Sequence, residues 1–161
     1  MEETKDVIPD QEIILAQEII LNTDIKPEKI KPEKIDVPET IAKVILEKLI
    51  VFENELGFLK PNINQAEFAK ELDTNSSYLS KTINHYKEQN FSQYLNSLRI
   101  DYTIQKLKED SYFRKISIKA LAEEMGFGNQ ETFSKAFYAK TGLQPSYFIN
   151  KLKEIKNDTI Q

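Results

Sequence analysis

Apolar side chains recur every three to four positions along most of this chain and nowhere alternate convincingly, so the pattern predicts helices and no sheet. From Pro38, the residues Ile41, Val44, Ile45, Leu49, Phe52 and Leu56 share one face over four turns, and Gly57 closes that segment. Gln65 to Leu72 form a short helix with Phe68, Ala69 and Leu72 inward. A turn at Asp73-Thr74-Asn75 starts a helix through Tyr78, Leu79, Ile83 and Tyr86. Asn90 caps a longer amphipathic helix using Phe91, Tyr94, Leu95, Leu98, Tyr102 and Leu107. Ser117 opens a short helix through Ile118, Leu121, Ala122 and Met125, and the turn Gly126-Phe127-Gly128-Asn129 leads to another through Phe133, Phe137 and Tyr138. After Gly142, the last helix begins near Pro145 and runs through Tyr147, Phe148 and Leu152. The expectation is an all-α body of seven helices.

The chain before Pro38 follows other rules. Residues 25–35 are a tandem repeat of Ile-Lys-Pro-Glu-Lys, and each proline pushes the lysine before it out of the α region. An extended, semi-rigid spacer is expected there. Upstream, Gln11 to Leu21 has helical apolar spacing with Asp10 as N-cap, but eleven residues make a marginal helix alone. That stretch reads either as a frayed tail or as a docking helix. The division is therefore residues 1–37 as a largely disordered arm and spacer, and 38–157 as the folded domain.

The helices hide a duplication. Phe68-Ala69-Lys70-Glu71-Leu72 matches Leu121-Ala122-Glu123-Glu124-Met125 at an offset of 53, and Leu79 and Ile83 match Phe133 and Phe137 at 54. The extra residue falls in the turn between. Each copy has helix-turn-helix spacing: a small residue where two helices cross (Ala69, Ala122), then a permissive turn at Gly126 or, less comfortably, Asp73. The helix after the turn buries every fourth residue and leaves its other face free for a groove.

Charge sharpens the division. The 161 residues carry 22 Lys+Arg and 26 Asp+Glu, a net charge of −4, but residues 1–39 hold a net −6 and residues 40–161 a net +2. An acidic arm thus joins a mildly basic body. Absence of cysteine excludes a disulfide framework, a thiolate metal site and cysteine catalysis. The one histidine, His85, sits beside Tyr86 at a packing or surface position and has no partners for a metal site or triad. Glu123 and Glu124 are adjacent on a helix and diverge by about 100°, so they are not a paired acid and base. No Gly-rich phosphate loop occurs, and the aromatic residues recur at helical spacing, which reads as core. No apolar run approaches the roughly 20 residues of a bilayer span, and the acidic start Met1-Glu2-Glu3-Thr4 is unlike a secretory signal. These features predict a soluble cytoplasmic protein with no catalytic residues, metal or cofactor.

One set of positions runs through both copies and the helix between them: Gly126-Phe127, Phe133, Phe137, Gly142, Pro145 and Phe148, with Tyr78-Leu79-Ser80-Lys81, Tyr94-Leu95 and Arg99. By these signature residues the stretch 41–152, about 70% of the chain, resembles the DNA-binding domain of AraC/XylS transcriptional regulators. Ile149, Tyr138 and Gln144 depart from the usual Arg, Lys and Ser/Thr, which removes phosphate-contacting groups. The resemblance implies two helix-turn-helix units on a central linker helix, sequence-specific binding of double-stranded DNA, and RNA polymerase as a further partner. It also implies base-reading positions at Ser77, Ser80 and Lys81 in the first unit and Gln130, Glu131, Ser134 and Lys135 in the second. These types suit the major-groove code, with Lys for guanine, Gln for adenine and Glu for the cytosine amine. Asn75 and Asn129, as N-caps, bring free backbone N–H groups toward phosphates, and Arg114, Lys115 and Lys119 are further phosphate candidates.

Residues 1–40 are too few for the effector-binding domain such regulators usually carry. The chain therefore reads either as a stand-alone regulator governed by its abundance or as the DNA-binding end of a longer chain with an N-terminal sensor region. The arm and spacer resemble the juncture in membrane-anchored sensors of the family, which favours the second, this segment itself making no membrane contact. The competing class is a helical protein-interaction module without specific DNA binding.

Overall fold

The computed structural model describes residues 35–159. Eight α-helices and one 3₁₀ turn make up the ordered elements, and no strand occurs among the described residues. They are α1 (Glu39–Asn54), the 3₁₀ turn (Gly57–Leu59), α2 (Gln65–Glu71), α3 (Ser76–Lys87), α4 (Phe91–Glu109), α5 (Ser111–Lys115), α6 (Ile118–Glu124), α7 (Gln130–Thr141) and α8 (Pro145–Asp158). All seven expected helices are present. The extra helix, α5, is a single turn capped by Asp110, whose side chain accepts from the Tyr112 N–H, and it has no apolar period to betray it. Gln11 to Leu21 and the spacer repeat lie outside the described residues. No helix among the described residues is long and apolar enough to cross a membrane.

Two hydrophobic clusters build the body. The first holds Ile45, Leu49, Phe58, Phe68, Ala69, Leu72, Leu79, Ile83, Phe91, Tyr94 and Leu95. The second holds Ile100, Ile104, Leu107, Leu121, Met125, Phe127, Phe133, Phe137, Phe148 and Leu152 among others. Each buried aliphatic or aromatic side chain contributes about 1.5–3 kcal/mol by leaving water. The clusters meet on α4, which gives Phe91, Tyr94 and Leu95 to the first and Ile100, Ile104 and Leu107 to the second. At about 100° per residue these two sets lie on roughly opposite sides of the helix. The linker helix is therefore apolar on two sides rather than amphipathic along one stripe, because a unit packs against each side.

The duplication is visible in the hydrogen bonds. Thr74 N–H donates to the Ala69 carbonyl at 2.9 Å and Phe127 N–H to Ala122 at 3.0 Å, while Asp73 N–H reaches Lys70 at 3.0 Å and Gly126 N–H reaches Glu123 at 3.1 Å. Both turns thus close their helix with the same two bonds, through a residue in the left-handed region: Asp73 at φ 56° and Gly126 at φ 84°. The strained Asp73 is held by Lys48, whose Nζ donates to the Asp73 carboxylate and to the Leu72 carbonyl, both at 2.8 Å. That contact holds the Asp73 carboxyl below its ordinary range. The inserted residue is Gly128, where a Cβ would meet nothing within 4 Å.

Three expectations about α1 and α7 need correction. Val44 is 46% exposed and Leu56 38%, whereas Ala42 is buried at 1%. The α1 stripe is centred on Ala42, Ile45 and Leu49, and large size at positions 44 and 56 misled the pattern. The helix ends at Asn54, and Leu56, not Gly57, takes the left-handed conformation that turns the chain. Tyr138 is 54% exposed rather than core, since Phe133 and Phe137 already fill the inner face of α7.

Candidate nucleic-acid interface

Each helix-turn-helix unit ends in a twelve-residue helix, α3 and α7, started by an asparagine cap. Asn75 Oδ1 accepts from the Tyr78 N–H at 2.9 Å, and Asn129 Oδ1 accepts from the Thr132 N–H at 2.8 Å. Leu79 and Ile83 in α3, and Phe133 and Phe137 in α7, are fully buried. That orientation turns the remaining face of each helix outward. Ser77, Ser80, Lys81 and Asn84 line it in α3, and Glu131, Ser134, Lys135 and Tyr138 occupy the same places 54 residues on in α7. The two serines at 80 and 134 are half-buried and the other six are exposed. Gln130 is exposed at the first position of α7.

Both outward lysines are paired. Lys81 Nζ donates to the Asp36 carboxylate at 2.8 Å, a contact across 45 residues that brings the start of the described chain onto α3. Lys135 pairs with Glu131 at 2.8 Å, one turn earlier on its own helix. The hydrogen bond to Lys135, and then its charge, hold the Glu131 carboxyl below its ordinary range, and Glu131 raises Lys135 in return. Lys81 does the same to Asp36. All four groups face solvent, so these pairs break at little cost. Glu131, Ser134, Lys135, Tyr138 and Gln144 line one shallow depression, with Gln144 supplied by the N-cap position of α8.

The other expected positions divide. Lys115 and Lys119 are exposed near the start of the second unit. Arg114 is half-buried, and its guanidinium donates to the Leu107 carbonyl at 2.6 Å, capping the end of α4. That bond commits part of its charge inside the fold. Helical spacing reads Tyr138 as core, although the resemblance sets it, with Gln144, at positions that usually carry phosphate-contacting groups; Asp36 was missed, since no local pattern encodes its approach to Lys81.

The relative placement of the helices is set by α4. Arg99 is 7% exposed, and donates from Nε to the Phe58 carbonyl at 2.7 Å and from Nη2 to the Lys60 carbonyl at 3.0 Å. Its guanidinium carbon also lies 5.5 Å from the centroid of the Phe127 ring, in the second unit. Burial pulls the pKa of the Arg99 guanidinium down from its usual value, because leaving water disfavours the charged form. Lys140, in the last turn of α7, reaches Ser97 at 2.9 Å and Asp101 at 3.1 Å on α4. Among the described residues no group of three or more His, Asp or Glu side chains is placed to hold a metal ion.

Known proteins resemble this chain in sequence or in fold. A helix-turn-helix domain family matches residues 68–151, more than half of the chain. The transcriptional regulatory protein YesN of Bacillus subtilis is 36% identical over 112 residues, which is 68% of this chain but 29% of that protein. The C-terminal domain of AraT, a response regulator from Geobacillus stearothermophilus, superposes with a TM-score of 0.52 at 19% identity, over 71% of this chain and 87% of that one. An AraC-type transcriptional regulator from Chromobacterium violaceum gives a TM-score of 0.56 at 16% identity, over 71% and 96%. The family match over residues 68–151 places the chain in the AraC-type helix-turn-helix domain family, and the superpositions show the same fold.

Proposed function

We propose that this protein regulates transcription by seating α3 and α7 in successive major grooves on one face of a DNA duplex, about 34 Å apart. The observation that carries this reading is the repetition of one outward ridge, Ser80-Lys81 and Ser134-Lys135, on two helices of equal length held by one buried linker. Ser77, Ser80 and Lys81 read bases in one groove and Gln130, Glu131, Ser134 and Lys135 in the next. Lysine serves guanine O6 and N7, glutamine serves adenine, and glutamate accepts from cytosine N4. The N–H groups left free at the Asn75 and Asn129 helix starts, with Lys115 and Lys119, contact phosphates. Arg114 is the weakest of that set because Leu107 already holds it.

Residues 38–157, together with the buried Val37, act as the DNA-binding unit, and the chain before them connects it to an upstream sensor region in a longer chain. The protein works in the cytoplasm, with RNA polymerase as the partner that converts occupancy into a transcriptional effect, and it carries out no catalysis. Electrophoretic mobility shift with genomic fragments tests the reading. Retention selective for a few fragments at moderate salt is expected. Equal weak retention of all fragments, or none at low salt, overturns it.

A further inference from the structure

The two outward ridges are alike at their centres and different at their first turn. Ser80 and Ser134 match, as do Lys81 and Lys135, but Ser77 of α3 stands where α7 has Glu131. The carboxylate that pairs Lys135 therefore comes from the reading face of α7 itself, at 2.8 Å. The carboxylate that pairs Lys81 comes from Asp36, outside the domain's helices, 45 residues away in sequence. A DNA duplex that displaces Asp36 leaves α3 with a lysine and two hydroxyls on this ridge. No duplex can displace Glu131 from α7, because it sits one turn from Lys135 on the same face.

We infer that the two half-sites share a guanine opposite Lys81 and Lys135 and that only the half-site read by α7 also demands a cytosine, imposed by Glu131. This rests on the proposal that α3 and α7 enter successive major grooves. A carboxylate in a groove lined by phosphates and base acceptors is repelled unless it meets an amine donor. Cytosine N4 is an amine with no acceptor beside it on its own base edge, whereas adenine N6 stands next to the N7 acceptor, so cytosine is the base that suits Glu. Glu131 acts as a filter: it adds one accepted bond at a cytosine and leaves an unpaired, desolvated charge at a thymine or guanine. Ser77 both donates and accepts through one hydroxyl, so it tolerates any base there. Two units that share the Ser-Lys centre of their ridges thereby read an asymmetric operator, and the asymmetry fixes which way the protein faces along the DNA.

Selection from a randomised duplex library by the full chain, with sequencing of the retained pool, tests this. The half-site belonging to α7 is the one whose guanine preference disappears with Lys135→Ala. The expected wild-type pool carries guanine in both half-sites and cytosine in that half-site alone. Glu131→Ser abolishes the cytosine preference, about tenfold or more in relative retention, while both guanine preferences persist. Glu131→Gln moves the preference at that position to adenine, and Ser77→Glu creates a cytosine preference in the other half-site. Both positions are exposed, and a thermal melt shows each variant folded. A cytosine preference that survives Glu131→Ser, or its absence from the wild-type pool, overturns the inference while leaving DNA binding intact. A wild-type pool without any sequence enrichment overturns the underlying reading as well.

Discussion

Arg99 donates from Nε to the Phe58 carbonyl oxygen at 2.7 Å, joining the linker helix to a 3₁₀ turn 41 residues earlier. The same guanidinium bonds the Lys60 carbonyl and lies over the Phe127 ring, so one buried cation ties the segment ahead of the first helix-turn-helix unit to the second unit. Its position on α4 makes it a spacer as well as a clasp, since the distance between α3 and α7 depends on how each unit packs against that helix.

Arg99→Ala should cost about 2–4 kcal/mol of stability in urea unfolding, because two carbonyls lose a charged donor at once. Arg99→Lys should recover little, since an ammonium cannot supply the planar fork that spans both carbonyls. A near-neutral Arg99→Lys would show that charge rather than geometry matters there.

The turn glycines separate conformation from space. A Cβ at Gly126 would come within 2.6 Å of the Leu59 carbonyl oxygen, at a φ of 84° that side chains disfavour. Gly126→Ala should lower stability by about 1–3 kcal/mol or more. Gly128, the residue by which the second turn exceeds the first, has open space around its Cα. Gly128→Ala should change the melting temperature by only a degree or two in either direction, because the backbone there is not in the left-handed region.

Much of this was legible in the sequence, and what was not has a physical cause. The pairing of Ala69 with Ala122 and of Leu79 with Phe133 located both units, because a buried helix crossing and a buried recognition-helix face each leave a periodic trace. Arg99 stood out by resemblance, yet its bonds to Phe58 and Lys60 join segments about 40 residues apart and leave no periodic trace. Tyr138 was misplaced because an aromatic residue after Phe137 satisfies the helical period without being buried. Asp36 was counted only in the arm's charge; its specific partner Lys81 follows from tertiary placement alone.

Lys81→Ala and Lys135→Ala should each weaken binding to the specific site by about 1–3 kcal/mol and relax base preference at one position. Competition titrations with specific and random duplexes check this. Loss of equal size on both duplexes, with site preference intact, would assign the lysine to a phosphate instead. Additivity of the two losses is also expected, because the lysines sit on separate helices with no shared partner.

The contact between Asp36 and Lys81 predicts that the N-terminal chain opposes DNA binding. Residues 1–34 carry nine acidic and five basic side chains and are joined directly to Ile35 and Asp36. They bring a local excess of negative charge to the side of α3 that a phosphate backbone must approach. Removing residues 1–34 together with Asp36→Asn should strengthen binding several-fold at low salt and hardly at all at high salt, where the Debye length falls well below about 10 Å. The gain should be larger for random than for specific duplex, and the dependence of affinity on salt should steepen. Val37 is buried at 6% and must be kept, so truncation stops before Ile35. The melting temperature should barely move, because the pair lost is exposed on both sides. Unchanged affinity at low salt would refute the competition. A large fall in stability would instead mean that Ile13 to Leu21 pack against the body as a further helix, which would make the arm a structural element and not a competitor for DNA.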